Sequence, residues 1–222
     1  MQTFLNKLNK TKQIITQAIE EFGIDNIAIC CSFGKDSMVL VHNALQVDPR
    51  IQIFAVPTPF WPQVTIEYMW EMQSKYRLNL LIHNCDGDHP NSNLPKEDPD
   101  ACCIKYKVEP MKKMIKSLKL KAILSGVRKD EGRTRKDFKY REDRQGIVKF
   151  NPILDFTETD IWKYFAVNKI PVHPWYAKGY RSLGCAPCTG LCDDRVGERD
   201  GRWKQSKTKC GGECQIHTLK LK

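Results

Sequence analysis

The sequence predicts an α/β fold, a twisted parallel sheet with helices on both faces. Three observations carry that prediction. Short apolar runs bounded by turn residues stand at 27–31, 51–56, 78–83 and 122–126. Segments with apolar residues at helical spacing lie between them. Strand and helix patterns alternate, which is how a parallel sheet covered on both faces is assembled. Ligands of such sheets sit at the carboxyl ends of the strands.

Ile14, Ile15, Ala18, Ile19 and Phe22 recur at helical spacing and predict an amphipathic first helix, which Gly23 ends. Ile27-Ala-Ile-Cys-Cys31 reads as a buried strand, 32–37 as a turn and 38–45 as a helix. Residues 51–56 form the second predicted strand, 63–76 a helix and 78–83 the third strand. Pro, Asn and Asp crowd 85–100, predicting a loop. A helix over 104–118 leads to the strand 122–126. Residues 129–144 are polar and charged and read as a substrate-facing loop. Asn151-Pro-Ile-Leu-Asp-Phe-Thr157 leads into a helix over 158–167, with Thr157 as its N-cap. Beyond Pro171 the chain is rich in Gly, Pro and Cys. The expected organisation is one domain over 1–202 and a tail over 203–222.

The 222 residues suit one α/β domain, and 41% hydrophobic content is enough for a sizeable core. A net charge of +10 points to an anionic partner. The basic residues are spread along the chain, which favours a charged cleft over a nucleic-acid-binding arm. Aromatic residues do not interleave with a basic stripe, so a nucleic-acid partner is not expected. Ten cysteines would suit a secreted disulfide scaffold. The first residues, however, show no apolar leader pattern, and no run of about 18 apolar residues predicts a membrane span. The expected compartment is the reducing cytoplasm, where clustered cysteines read as metal ligands or redox catalysts.

The cysteines fall into sets. Cys102-Cys103 is an adjacent pair, matched downstream by Cys185-Ala-Pro-Cys188, and the tail carries Glu213-Cys214-Gln-Ile-His217. One tetrahedral zinc wants its sulfurs close together on one side, yet neighbouring residues diverge. An iron–sulfur cube eases this, because each thiolate can take a different iron. Spacing alone leaves zinc as the alternative. Cys214 stands apart as a nucleophile. Cys30 and Cys31 read as core residues; Cys85, Cys192 and Cys210 have no clear role.

Ser32-Phe-Gly-Lys-Asp-Ser37 falls between a predicted strand and helix, where backbone N–H groups and a positive helix end can meet an anion. Gly34 allows close approach, Lys35 supplies charge, and Ser32 and Ser37 supply hydroxyls. It is not a Walker A loop, since the earlier glycine is missing and Asp36 follows the lysine. It resembles the S-G-G-K-D-S loop of the adenine-nucleotide α-hydrolase (PP-loop) superfamily, with Phe33 in place of the first glycine.

With this loop, the two cysteine pairs and the tail motif, the chain resembles the assimilatory sulfonucleotide reductases, in particular the iron–sulfur branch acting on adenosine 5′-phosphosulfate (APS). Further supporting stretches are Lys107-Val-Glu-Pro110, 126–135, 151–157, 180–188 and Gly197-Glu-Arg-Asp-Gly-Arg-Trp203. The resemblance implies a two-step reaction. The Cys214 thiolate takes the sulfonate from APS and releases AMP; thioredoxin or glutaredoxin then frees sulfite. It also implies a [4Fe-4S] cluster on Cys102, Cys103, Cys185 and Cys188. Substrate would be held by Ser32, Phe33, Gly34, Lys35, Asp36, Ser37, Lys107, Gly126, Arg135, Arg199 and Arg202, with Arg128 and Arg133 as further candidates. His217 would orient or acidify the thiol, whose ordinary pKa of ~8.5 must fall for the thiolate to dominate at neutral pH.

The chain departs from the family pattern in keeping Lys35-Asp36-Ser37, which is usual in relatives that cleave ATP. Two alternatives follow: a reductase of the 3′-phosphorylated substrate (PAPS), or an ATP-pyrophosphatase-type sulfur transferase acting on tRNA or DNA. The second leaves Glu213–His217 and Gly197–Trp203 unexplained. Homo-oligomerisation is left open by the sequence.

Overall fold

The computed structural model describes residues 3–83, 93–132, 135–144, 146–193 and 195–202. Six strands form one sheet, β1 (Ile27–Cys30), β2 (Gln52–Ala55), β3 (Asn79–Ile82), β4 (Ala122–Ser125), β5 (Arg141–Asp143) and β6 (Val148–Phe150), in the order β3-β2-β1-β4-β6-β5. All neighbours are parallel except β5 and β6. The chain runs outward from β1 to β3, then returns to lay β4 on the other side of β1. The β1–β4 boundary is therefore where strand order reverses, the place at which such sheets bind ligands.

Among the described residues eight helices accompany the sheet: α1 (Phe4–Phe22), α2 (Lys35–Val47), α3 (Gln63–Tyr76), α4 (Leu94–Glu97), α5 (Pro99–Cys103), α6 (Glu109–Ser117), α7 (Glu158–Asn168) and α8 (Pro174–Ala177). The period-2 alternation of β1 divides the core. Ile27 and Ile29 join Ile15 of α1, Val41 of α2 and Tyr164 of α7 on one face. Ala28 points to the other face, among Val108, Met111 and Ile115 on and just before α6. The predicted two-faced sheet is thus present, with its helix signals realised. Thr3 caps α1 through Asn6 N, and Gly23 ends that helix at φ 80°. Thr157 and Asp160 form a reciprocal capping box on α7.

Two stretches read as loops contain regular structure. Within 85–100 lies α4, and Pro99 opens α5 at the first helical position, where its missing N–H costs nothing. Within 129–144 lies β5, whose Arg-Glu-Asp sequence has no apolar alternation because the strand is a largely exposed edge. The predicted helix over 104–118 begins as a π-helix over Ile104–Val108, continuous with α5 and α6.

Candidate active site

The turn between β1 and α2 leads into the reversal point. Its residue 33 takes φ 56°, the left-handed region that glycine enters freely, but the side chain is phenyl and fully buried in the core. Burial of the ring offsets a conformational cost of about 1–2 kcal/mol. Below the turn, Cys31 donates to Ser37 Oγ at 3.6 Å, and burial pushes its pKa up to about 11, so it is a neutral core thiol. Gly126, just past β4, lies against the start of α2. A Cβ there would stand 3.0 Å from Asp36 C, Ser37 Cα and Ser37 N. Only glycine lets β4 pass this close to the turn.

A cavity of about 160 Å³ opens at this point. Ser32, Gly34, Asp36, Ser37 and Gly126 line it, as do Lys107, Arg135, Arg199 and Arg202. Its floor is apolar, with Cys30, Val56, Met111 and Ile123. The expected substrate residues thus converge, with three exceptions among those described. Arg128 is fully buried in the ion network behind the turn and does not line the cavity. Phe33 faces the core. Lys35 is 1% exposed and turns away from the cavity, donating to the Glu198 carboxylate and, at 2.7 Å, to Arg181 O. The catalytic pair assigned by resemblance, Cys214 and His217, lies outside the described residues, as does Arg133.

A buried ion network holds the walls together. Arg128 donates to Asp36 Oδ1 at 2.5 Å and to Glu198 Oε2 at 2.6 Å. Glu131 accepts from Arg135 and, at 3.1 Å, from Arg199. Burial would raise the Glu131 pKa, but Arg135, Arg199 and Arg128 together hold it down at about 2. Burial, and then the Asp36 charge, raise the Glu198 pKa, while the Lys35 and Arg128 cations on its two oxygens favour the ionised form. Arg202 donates to Leu183 O, and its guanidinium fills the space that a side chain at Gly184 would need. The Gly190 N to Gly201 O bond of 2.9 Å ties 198–202 to the Cys185–Cys188 loop. The arginine segment and the cysteine loop therefore form one unit.

Beside this unit three of the four expected cysteines, Cys102, Cys185 and Cys188, meet, with Cys103 next to Cys102 in the chain. Cys102 and Cys103 end α5, while Cys185 is the N-cap and Cys188 the last residue of a single 3-10 turn. All four are buried, and Cys102, Cys185 and Cys188 share an apolar cluster with Phe60 and Tyr106. None of the described cysteines is in a disulfide. Thr58 Oγ1 stands 3.1 Å from Cys185 Sγ. Burial, and then the proximity of Cys185 and Cys188, push the Cys102 thiol up to about 12, while Lys107 pulls it down. Crowded buried thiols of this kind become thiolates only with a metal to neutralise them. An all-sulfur donor set suits an iron–sulfur cluster or zinc and not a hard cation. Lys107 lies in the π-helix, acts on Cys102 and also lines the cavity, as its position four residues after Cys103 suggests.

Sequence reasoning missed Glu198, Glu131, Tyr176 and Lys149. Tyr176 Oη accepts from Lys35 N at 2.8 Å. Lys149 on β6 lines the cavity, and burial lowers its pKa to about 8 against the pull of Glu142. The alternation Val148-Lys149-Phe150 was the available signal for β6, but three residues are too few to establish a period.

The fold is of the adenine-nucleotide α-hydrolase-like type, with buried cysteines at the edge of its cavity. Residues 26–191 match the family described as the phosphoadenosine phosphosulfate reductase domain, and the chain belongs to that family. It is similar to an adenosine 5′-phosphosulfate reductase of Oceanobacillus iheyensis, at 31% identity over 96% of this chain and 90% of the relative. It is also similar to one of Geobacillus kaustophilus, at 32% identity over 91% of each. A phosphoadenosine 5′-phosphosulfate reductase of Gloeobacter violaceus is 29% identical over 89% of this chain and 86% of its own. Among solved structures, the phosphoadenylyl-sulfate reductase of Candida auris superimposes with TM-score 0.71 at 21% identity, covering 80% of this chain and 88% of the other. An FMN adenylyltransferase of Candida glabrata does so with TM-score 0.66 at 16% identity, over 93% and 75%. Both likenesses concern the fold alone.

Proposed function

We propose that this chain reduces APS to sulfite and AMP with a dithiol protein, thioredoxin or glutaredoxin, as reductant. Sulfonucleotide reduction in sulfate assimilation follows from its family and its relatives. The single observation that favours the detailed reading is convergence. Lys107, Arg135, Arg199 and Arg202 come from three separate segments and line one cavity at the turn after β1. A thiolate and a phosphosulfate are both negative, so their encounter requires such cations.

The Cys214 thiolate attacks the sulfuryl sulfur of APS. A sulfur–sulfur bond forms, the bond from sulfur to the bridging oxygen breaks, and AMP leaves with that electron pair. A reductant thiolate then attacks Cys214 Sγ and expels sulfite. The second reductant thiol resolves the mixed disulfide, leaving oxidised reductant and a free Cys214 thiol. Arg199 and Arg202 hold the phosphosulfate and offset the charge gathering on the leaving phosphate. Glu131 fixes Arg135 and Arg199 in place. Cys214 stands twelve residues beyond Arg202 on the cavity wall. An extended segment of that length reaches up to about 40 Å, enough both to enter the cavity and to leave it for a protein reductant. The division into a domain over 1–202 and a tail over 203–222 is part of this reading.

Cys102, Cys103, Cys185 and Cys188 would hold a [4Fe-4S] cluster, which when bound supplies structural cross-linking and a local negative field. Lys107 moderates that field at the cavity. No helix among the described residues is long and apolar enough to cross a membrane, and we place the enzyme in the cytoplasm.

The test is sulfite release from APS and PAPS side by side with reduced thioredoxin. Cys214→Ser is expected to abolish release with iron still bound. Sulfite production by that variant at the wild-type rate contradicts the proposal.

A further inference from the structure

The loop retains a lysine, Lys35, of the kind that reaches outer phosphates in nucleotide-binding loops, yet here it is withdrawn from the cavity. Its ammonium is buried against the carboxylate of Glu198, 163 residues away in sequence, and against Arg181 O at 2.7 Å. Glu198 is itself 5% exposed, and its second oxygen takes Arg128 Nη2 at 2.6 Å. Arg128 is fully buried and its Nε holds Asp36 at 2.5 Å. Lys35 and Arg128 therefore share Glu198 and Asp36 behind the turn, with Glu158 4.0 Å from Lys35 and Asp130 3.9 Å from Arg128. The backbone N–H of Lys35, at the start of α2, is also engaged, by Tyr176 Oη at 2.8 Å.

We infer that Glu198 is a specificity-determining residue. Its carboxylate is a built-in anion that occupies Lys35, so that the site takes a nucleotide with one phosphoryl group and rejects the outer phosphates of ATP. The inference rests on the reading of the cavity as an adenine-nucleotide site. Outer phosphates brought to this turn would meet the partly buried Asp36, the buried Glu198 and a lysine already neutralised, and like charges at close range repel strongly. A sulfuryl group carries less charge, and its cations stand elsewhere, on the segments of Lys107, Arg135, Arg199 and Arg202. The same contact explains how a chain can keep Gly34-Lys35-Asp36-Ser37 without using ATP: Glu198 converts the lysine from a phosphate ligand into an anchor for the arginine segment.

Calorimetric titration of the full chain with AMP and with ATP, in EDTA, tests this. Wild type is expected to bind AMP at least tenfold more tightly than ATP. Glu198→Gln removes the charge and keeps the size, and its ATP affinity should rise at least tenfold while AMP affinity moves less than threefold. Lys35→Met in that background should cancel the gain. Equal ATP-to-AMP ratios in wild type and Glu198→Gln overturn the inference. Lys35→Met alone decides it should Glu198→Gln fail to fold. A change in ATP affinity below threefold supports the inference, and a tenfold loss shows that Lys35 serves the phosphates directly and overturns it. Absence of AMP binding by wild type instead defeats the nucleotide reading on which the inference rests.

Discussion

At the scale of single residues, two contacts decide whether the cavity is built. Gly126 has no room for a side chain, because the atoms a Cβ would meet are backbone atoms of Asp36 and Ser37 that cannot swing aside. Gly126→Ala should lower the unfolding free energy by about 1–3 kcal/mol, the range for overpacking, read from urea midpoints at unchanged slope. An unchanged midpoint would show that the turn yields freely. Arg202 acts on the other wall. Its replacement by Ala should reduce kcat/KM for APS about a hundredfold, the scale for losing one charged partner of a developing anion. A loss below threefold would remove it from the substrate site. The sequence disclosed Gly126 and Arg202 through the motifs around them. It did not disclose Glu198 as the partner of Arg128 or Glu131 as the partner of Arg199, because these meet only through the fold, 70 and 68 residues apart. The i,i+4 spacing of Glu131 and Arg135 was a local signal left unread. No local spacing carries the signal for the two long-range pairs.

At the scale of elements, the segment around α8 is held by a neutral histidine. His173 is 1% exposed, its Nδ1 accepts from Trp175 N at 3.1 Å, and its Nε2 lies 3.0 Å from Thr65 Oγ1 on α3. Since Nδ1 is an acceptor, Nε2 carries the proton and donates to Thr65. Burial lowers the His173 pKa from 6.5 to about 4. A folded-state pKa below the unfolded value gives stability that is full above pH 6.5 and lost as pH falls towards 4, here about 3 kcal/mol in all. Chemical denaturation at pH 7 and pH 4.5 should show this loss, and His173→Gln should flatten it. Equal slopes for both proteins would contradict the assignment. The π-helix between α5 and α6 is the second element of consequence, since it sets Lys107 between the thiols and the cavity. Its register was not legible, because π-turns leave no compositional mark, although the approach of Cys102 to Cys185 and Cys188 was. Cys103→Ala should lose iron from anaerobically purified protein. Full iron content in that variant would separate Cys103 from the cluster.

At the scale of the molecule, a parallel sheet covered on both faces followed from alternation of buried runs and helical spacing. The antiparallel edge β5–β6 did not, because an exposed three-residue strand of charged residues carries no period. The net charge of +10 has a measurable consequence. Raising ionic strength from about 0.05 to 0.5 M shortens the screening length severalfold. The KM for APS should rise severalfold across that range, and a flat profile would show that the cationic wall does not attract substrate. The claim on which all of these depend is transfer of a sulfonate to Cys214. Iron-replete enzyme incubated with sulfur-labelled APS and no reductant, then digested and analysed by mass spectrometry, should carry the label on the peptide containing Cys214 and release it as sulfite when reduced thioredoxin is added. Label confined to another cysteine, or turnover to sulfite with no label ever held by that peptide, would contradict the account.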